Sequence, residues 1–301
     1  MSAGVELVGV RKSFDGIVAV DDLSLTIPPG AIFGLLGPNG AGKTTAIRML
    51  IGILLPDAGE VRIFGAPVSR DVTRRIGYLP EERGLYRRMT VEDNLVFVGR
   101  LAGLAARDAR VRALKWARRM EIDRWMSSRV EQLSKGMQQK VQFIAALVHE
   151  PDLVVMDEPF SGLDPINVNE LNEILLDLKR SGRTILLSTH RMDQAERLCD
   201  EICLVNRGRR VLSGPIRQIR SANGRCTLRI EIEGDLASLA RFPGVECFID
   251  RGNHADIVLC PGADSQDLLR RAMRLGRVLR FELREPSLED VFVSVVGERN
   301  G

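Results

Sequence analysis

The feature that most constrains this chain of 301 residues is the segment Gly37-Pro38-Asn39-Gly40-Ala41-Gly42-Lys43-Thr44. It fits the pattern GxxxxGK[ST], and it lies between an apolar run at residues 31–36 and a helical pattern at residues 45–51. In such a setting glycines let backbone N–H groups converge on phosphate oxygens, and the helix N-terminus adds partial positive charge. The sequence therefore predicts a binding site for a nucleoside triphosphate.

Two side chains of this segment have predicted tasks. Lys43 is expected to pair with the β- and γ-phosphates, and the hydroxyl of Thr44 is expected to ligate Mg²⁺, which prefers a few protein oxygens together with phosphates. The full set of residues expected to hold the nucleotide here is Gly37, Asn39, Gly40, Gly42, Lys43, Thr44 and Thr45.

Two carboxylates, Asp157 and Glu158, directly follow the apolar run at residues 153–156. Successive side chains of a strand point to opposite faces, so these two carboxylates are predicted to face different groups. Phosphoryl transfer depends on positioning and charge neutralisation more than on covalent chemistry. We therefore predict that Asp157 shares the Mg²⁺ shell with Thr44, and that Glu158 is the general base or water-orienting residue.

The spacing of apolar runs predicts an α/β fold. Continuous Val-, Ile- and Leu-rich runs at residues 31–36, 153–156, 184–188 and 202–206 each stand near helical patterns, which is typical of parallel strands buried on both faces. The alternating segments 5–10 and 23–27 instead predict an antiparallel flank.

Composition shifts predict where this fold is interrupted. Residues 82–132 lose the strand pattern and become helical and Arg-rich, which indicates an inserted helical subdomain over about residues 82–150. A second shift after Gly214-Pro215 predicts a boundary between a nucleotide-binding domain, residues 1–214, and a small α+β domain, residues 215–301. Its strands are expected at 226–233, 245–250, 255–260 and 277–283, and its helices near 264–275 and 288–296.

Composition excludes several classes of protein. Apolar residues make up 45% of the chain and charged residues 28%, which fits a folded domain with a sizeable core. The apolar runs are far shorter than the roughly 20 residues that cross a bilayer, and the first residues do not resemble a signal peptide, so we expect the protein to stay inside the cell. The five cysteines lack CxxC spacing, which favours neither a disulfide framework nor a zinc site. The net charge of +3 does not indicate a nucleic-acid partner.

Together, the motifs resemble the nucleotide-binding subunit of an ATP-binding cassette (ABC) transporter. Leu133-Ser134-Lys135-Gly136-Met137 is similar to the signature of that family, and Ser161-Gly162-Leu163-Asp164 is similar to its D-loop. His190 matches the switch histidine, and Phe14 matches the aromatic residue that stacks on adenine. The resemblance implies a P-loop NTPase fold of the ABC type, with a parallel core sheet, an antiparallel flank and an inserted helical subdomain. It also implies that the chain binds and hydrolyses ATP with Mg²⁺.

The resemblance further implies a dimer. In this family the signature cannot reach the phosphate-binding loop of its own chain, so it faces a second copy or a homologous ATPase subunit. ATP is then clamped between Lys43 of one protomer and Ser134 and Gly136 of the other. His190 is expected to contact the γ-phosphate, which makes it a catalytic residue beside Glu158.

Two departures from the family pattern stand out. The usual signature is LSGGQ, and here Lys135 and Met137 replace its third and fifth residues, whereas Ser134 and Gly136 remain. Glu81 stands where the family ordinarily places Gln. Glu81 is predicted to offer an oxygen to Mg²⁺ or water, and the alternative is that it mainly contacts the membrane partner.

The segment 157–165, the variant residue Glu81 and the C-terminal segment 285–290 together resemble the ATP-binding subunits of ABC-2-type exporters, in particular sodium or drug exporters. That likeness implies a separate integral membrane permease against which residues 82–132 dock, and a cytoplasmic location at the inner face of the membrane. The main alternative is a soluble ABC ATPase that acts on ribosomes or DNA. A GTP-binding switch and a nucleotide sensor without turnover are further alternatives.

Overall fold

The computed structural model describes residues 4–82, 84–223, 227–260, 262–284 and 286–298. The chain divides into two compact units, Met1–Gly214 and Pro215–Gly301. Cys226 of a predicted strand and Glu285 of the predicted C-terminal motif lie outside the described residues.

The first unit combines two sheets with helices. Its strands are β1 (Val5–Phe14), β2 (Ile17–Ile27), β3 (Ile32–Leu36), β4 (Ala58–Ile63), β5 (Ala66–Pro67), β6 (Ile76–Leu79), β7 (Leu153–Asp157), β8 (Thr184–Thr189), β9 (Glu201–Asn206) and β10 (Arg209–Pro215). Its helices are α1 (Lys43–Leu50), α2 (Arg70–Thr73), α3 (Val91–Leu101), α4 (Ala106–Arg119), α5 (Lys135–Leu147), α6 (Pro165–Arg180) and α7 (Met192–Leu198).

The central sheet has the strand order β10-β9-β3-β8-β7-β6, and β9, β3, β8, β7 and β6 pair in parallel. Alternate residues of β7 enter different cores. Leu153 and Val155 pack in the core that contains α1, whereas Val154 and Met156 pack in the core formed with α5 and α6. Burial on both faces explains why these strands are continuous apolar runs in the sequence.

The antiparallel sheet has the order β2-β1-β4-β5. The connection between β1 and β2 is the two-residue turn Asp15-Gly16, in which both residues have positive φ, as hairpins with this twist require. Val5, Leu7 and Val10 of β1 are buried in the same core as α1, so this sheet covers one side of the central sheet.

A helical region follows β6. It contains α3, α4 and two short 3₁₀ turns, Asp123–Trp125 and Val130–Gln132, before α5 begins at Lys135. The small residues Ala113 and Ala117 of α4 are fully buried in the core shared with α5, so α4 packs closely through one narrow face. Helix α5 itself packs against β6, which joins the helical region to the central sheet.

The second unit is a four-stranded antiparallel sheet with helices. Its elements are α8 (Ile216–Asn223), β11 (Thr227–Gly234), β12 (Val245–Asp250), β13 (Ala255–Leu259), α9 (Ser265–Leu275), β14 (Gly276–Arg284) and α10 (Leu288–Glu298). The strand order is β12-β13-β11-β14, and one face of β11 is buried together with Leu268 and Ala272 of α9. Ser287 and Asp290 form a capping box at the start of α10, in which the side chain of each accepts a hydrogen bond from the backbone N–H of the other.

The architecture agrees with the predicted α/β class, and the differences are local. Strands β4, β5, β6 and β10 are not predicted by the sequence patterns, because they are short or exposed on one side. Strands β1 and β2 run several residues beyond the predicted segments and meet at the Asp15-Gly16 turn. Within the described ranges, none of the helices combines the length and apolar character that a bilayer crossing needs.

Gly77 sets how closely β6 can approach α5. A Cβ atom on Gly77 would lie 2.0 Å from the carbonyl oxygen of Ala146 and 2.8 Å from Pro151. Because the Ala146 oxygen belongs to the helix backbone, we expect Gly77→Ala to lower the free energy of unfolding by about 1–3 kcal/mol, the usual cost of overpacking. Urea denaturation measures this change. Gly84→Ala is the control, since a Cβ there meets only Pro80, at 4.0 Å. Equal stability of the two variants would contradict the close packing of β6 on α5.

Candidate nucleotide-binding site

The phosphate-binding loop connects β3 to α1 at the carboxyl edge of the central sheet. Gly42 is the N-cap of α1 and has φ +101°, and a Cβ atom there would lie 2.4 Å from the carbonyl oxygen of Ala19. Glycine is therefore needed both for its backbone conformation and for the close approach of β2. Asn39 and Gly40 are exposed, so the loop presents backbone to solvent at the positive end of α1.

Lys43 is buried at the base of the loop. Its Nζ atom donates to the carbonyl oxygens of Gly37 at 2.7 Å and Pro38 at 3.1 Å, and its side chain is 6% exposed. The same Nζ lies 3.7 Å from Glu158 Oε1. The ammonium group is thus held beneath the loop, where the phosphates of a bound nucleotide are expected to lie.

Asp157 joins three elements at the end of β7. Its Oδ2 atom accepts a hydrogen bond of 2.8 Å from the Thr44 hydroxyl at the start of α1, and its Oδ1 atom accepts one from the Ser188 hydroxyl at the end of β8. Asp157 is 1% exposed, and a carboxylate in that setting is stable only with such donors. A hydroxyl and a carboxylate within hydrogen-bond distance are oxygen donors of the type that Mg²⁺ takes beside phosphates.

Glu158 faces a different set of groups. Its Oε1 atom lies 2.9 Å from His190 Nδ1 as well as near Lys43, and its backbone has positive φ of 49°. The Glu158 side chain is 9% exposed, whereas that of His190 is 50% exposed. The structure therefore brings a buried carboxylate, a buried ammonium and an accessible imidazole together.

Phe14 ends β1 at the tip of the hairpin and is 44% exposed. The strand that returns from this tip, β2, carries Ala19, whose carbonyl oxygen lies against Gly42. The hairpin thus connects an exposed aromatic ring to the phosphate-binding loop, as a stacking surface for a nucleotide base requires.

Ser134 and Gly136 lie at the N-terminus of α5. The Ser134 hydroxyl accepts from Met137 N at 3.3 Å, and Gly136 is near Asn167 at the start of α6. In the part of the chain that the structure describes, no hydrogen bond or ion pair joins Ser134 or Gly136 to the phosphate-binding loop. The structure does not bring these two predicted nucleotide contacts into the site formed by Lys43.

Glu81 follows β6 and is exposed. None of the hydrogen bonds of the described residues joins Glu81 to Thr44 or Asp157, the two other predicted metal ligands. The segment that contains Glu81 is held by Gln142 of α5, whose Nε2 atom donates to the carbonyl oxygens of Pro80 and Glu82, at 3.0 Å each.

A groove of about 450 Å³ lies between β6, α3 and α5. Tyr78 and Val98 line its walls, and Arg70 and Arg74 lie at its border. His149 also lines it, with Nε2 3.0 Å from the carbonyl oxygen of Ile76, and burial lowers the pKa of His149 so that its ring is neutral near pH 7.

Sequence reasoning missed two residues that shape this site. Ser188 bonds to Asp157, and Gln142 holds the segment around Glu81. The partners of Ser188 and Gln142 lie 31 and about 60 residues away along the chain, so no local spacing reveals these contacts. A polar residue at the end of an apolar strand is the signal that could have pointed to Ser188.

Comparison with known proteins agrees with this geometry. A family model described as ABC transporter matches residues 20–161. Residues 214–296 match the C-terminal domain of proteins described as ATP-binding protein DrrA1-3-like.

Relatives match along almost the whole chain. The ABC transporter ATP-binding protein YhaQ of Bacillus subtilis is 42% identical over 288 residues, which cover 96% of this chain and 97% of YhaQ. The Nod factor export ATP-binding protein I of Rhizobium sp. is 39% identical, with 97% of each chain covered.

Solved structures show the same fold over about 70% of the chain. The structure of an ATP-binding subunit of an ABC transporter has a TM-score of 0.68 and 33% identity, and the match covers 72% of this chain and 92% of that one. A dimeric post-hydrolysis structure of the ATP-binding cassette MJ0796 with ADP and Pi has a TM-score of 0.66 and 25% identity, with 71% and 99% covered. These matches confirm the predicted fold class, and the chain belongs to the family of ABC transporter ATP-binding proteins.

Proposed function

We propose that this protein is the ATP-hydrolysing subunit of an exporter, and that it works as a head-to-tail dimer beneath a separate membrane permease of the ABC-2 type. The observation that carries this proposal is the convergence of Lys43, Glu158 and His190 beside the phosphate-binding loop. A site that only bound a nucleotide would have no need of a carboxylate held between an ammonium group and an imidazole.

The groups of the site divide the chemistry between them. The loop amides and Lys43 bind the phosphates, and Glu158 orients the attacking water and takes its proton. His190 holds the Glu158 carboxylate at Nδ1 and offers its exposed side to the γ-phosphate. Thr44 and Asp157 would hold Mg²⁺, which when bound neutralises charge on the phosphate oxygens.

Separation of the signature from the loop supports the dimer. Ser134 and Gly136 present the positive end of α5, and within the described residues neither bonds to the phosphate-binding loop of its own chain. A second copy supplies the missing contact if the two chains pack head to tail, so that each nucleotide lies between Lys43 and the signature of the partner. The MJ0796 cassette, of similar fold, is described as dimeric.

The groove between β6, α3 and α5 is the surface that we assign to the permease. Its apolar walls suit a short cytoplasmic helix, and Arg70 and Arg74 favour acidic residues on that helix. Gln142 Oε1 and His149 Nδ1 are buried acceptors without a partner among the described residues, so a hydrogen-bond donor of the permease would satisfy them. Because Gln142 also holds residues 80–82, a partner in this groove would act on the segment that contains Glu81, the predicted third metal ligand.

The comparison with full-length relatives favours export over the alternative of a soluble ATPase acting on ribosomes or DNA. The relatives in rhizobia and Burkholderia are described as Nod factor export ATP-binding proteins, and they match this chain along nearly its full length. The proposed location is therefore the inner face of the membrane, where a permease would hold the protein.

Glu158→Gln tests the assignment of the base. The amide keeps the shape of the side chain but cannot accept a proton, so we expect steady-state phosphate release to fall about 100-fold or more while ATP binding is retained. Phosphate release and equilibrium binding of labelled ATP measure the two effects. Lys43→Ala is the contrasting variant, since it should lose tight ATP binding itself. Wild-type turnover by Glu158→Gln would show that another group activates the water.

Glu81→Gln tests the proposed third metal ligand. The support for this role is the strand register. Leu79 of β6 pairs with Met156 of β7, so Asp157, the last residue of β7, and Glu81, two residues after β6, lie at neighbouring strand ends on one sheet edge. We expect the variant to need several-fold more Mg²⁺ for half-maximal ATP hydrolysis, because an amide binds Mg²⁺ more weakly than a carboxylate does. An unchanged Mg²⁺ dependence would contradict the metal role and favour the alternative, in which Glu81 mainly contacts the permease. Glu82→Gln, one residue further along the same segment, is the control.

A further inference from the structure

The tip of the β1–β2 hairpin extends beyond the sheet that supports it. The last paired residues of β1 and β4 are Arg11 and Ala58, whereas β1 continues to Phe14 and pairs there, among the described strands, only with β2. A two-stranded ribbon is marginally stable in water by itself. Phe14 therefore stands on a part of the hairpin that needs a further contact to hold it in one place.

Asp57 supplies such a contact. This residue comes directly before β4, and its backbone N–H donates to the carbonyl oxygen of Arg11 at 2.8 Å. Its carboxylate accepts from Lys12 Nζ at 2.7 Å, from the backbone N–H of Ser13 at 2.7 Å and from the Ser13 hydroxyl at 3.0 Å. One side chain thus binds both residues that immediately precede Phe14.

The carboxylate of Asp57 is charged under all ordinary conditions. The hydrogen bonds from Lys12 and then from Ser13 lower the pKa of Asp57 from 3.8 to about 2. A lowered pKa means that these contacts are fully present above pH 3.8 and are lost only as the pH falls through about 2. Hydrogen bonds to an ionised acceptor are also stronger than neutral ones, which suits a contact on the protein surface.

Lys12 connects this contact to the aromatic ring. Its Nζ atom lies over the Phe14 ring, 5.8 Å from the centroid, while it is bonded to Asp57. A cation at this distance is attracted to the face of the ring. The ammonium group of Lys12 therefore covers one face of the ring, while Phe14 remains 44% exposed.

We propose that Asp57 is a positioning residue for ATP binding: Asp57 holds the hairpin tip so that Phe14 presents one ring face to the adenine base. The inference rests on the proposed binding of ATP and adds a residue outside the motifs of the site. Asp57 does not contact the phosphate-binding residues in the described structure; its effect passes through Lys12 and Ser13 to Phe14. It should therefore affect the part of ATP binding that depends on the base, and not the part that depends on the phosphates.

Asp57→Ala is the test, measured on the full chain by equilibrium titration. We expect ATP affinity to fall about fivefold, at the lower end of what base stacking on an aromatic ring contributes. The affinity for inorganic tripolyphosphate, which has no base, should stay unchanged, and so should kcat at saturating ATP. In a Phe14→Ala background, Asp57→Ala should have no additional effect on ATP affinity. The loss should be the same at pH 6 and pH 8, because Asp57 stays ionised at both.

Two variants serve as controls. Asp57→Asn keeps an acceptor for Ser13 but loses the ion pair with Lys12, so we expect a smaller loss of ATP affinity. Glu60→Ala removes an exposed ion pair with Arg62 on β4 and should leave ATP affinity unchanged. Equal weakening of ATP and tripolyphosphate by Asp57→Ala, or an equal loss in the Phe14→Ala background, would overturn the proposal. The proposal would also be overturned if Phe14→Ala weakened ATP binding but Asp57→Ala left ATP affinity unchanged. If the wild-type protein bound no ATP at all, the proposed function itself would be refuted.

Discussion

The buried carboxylate of Asp157 is the interaction on which the rest of the site depends. A charge that is 1% exposed must be satisfied by donors, and the two that satisfy it are hydroxyls at the start of α1 and the end of β8. The ends of β7, β8 and α1 therefore meet at one point of the sheet edge. Glu158 is the next residue, so the same constraint places the candidate base beside Lys43 and His190.

Contacts within the protein therefore hold the groups of the site in position without a bound ligand. Lys43 is fixed by two carbonyl oxygens of its own loop, and Gly42 lets β2 approach the loop closely. Catalysis of phosphoryl transfer depends on such positioning, because charge must be neutralised where it develops. The signature at the start of α5 lies outside this arrangement, which is the physical reason that the proposed function needs a second chain.

Much of the fold and of the site could be predicted from the sequence where the pattern is local. Buried parallel strands are continuous apolar runs, so β3, β7, β8 and β9 are predicted within a residue or two. The sequence patterns do not predict strand β6, because it has only four residues, one of them Gly77, and is stabilised by packing on α5. The order of strands in the second unit likewise depends on pairings between distant segments.

The candidate site likewise contains residues that local motifs identify and residues that act through distant contacts. Lys43, Thr44, Asp157 and Glu158 are identifiable because their motifs are contiguous, whereas Ser188, Gln142 and Asp57 act through partners far along the chain. Glu81 and Lys135 show the converse, since the sequence identifies them as departures from a family pattern, whereas no hydrogen bond of the described residues joins either of them to the phosphate-binding loop.

The proposed function requires each nucleotide to lie between Lys43 of one chain and Ser134 and Gly136 of another. Mixing two defective variants, Lys43→Ala and Ser134→Arg, tests it most directly by phosphate release from ATP. A mixed dimer keeps one site in which both halves are intact, so the mixture should hydrolyse ATP although each variant alone does not. A mixture that remains as inactive as its separate components, at concentrations where the wild-type protein turns over ATP, would contradict it.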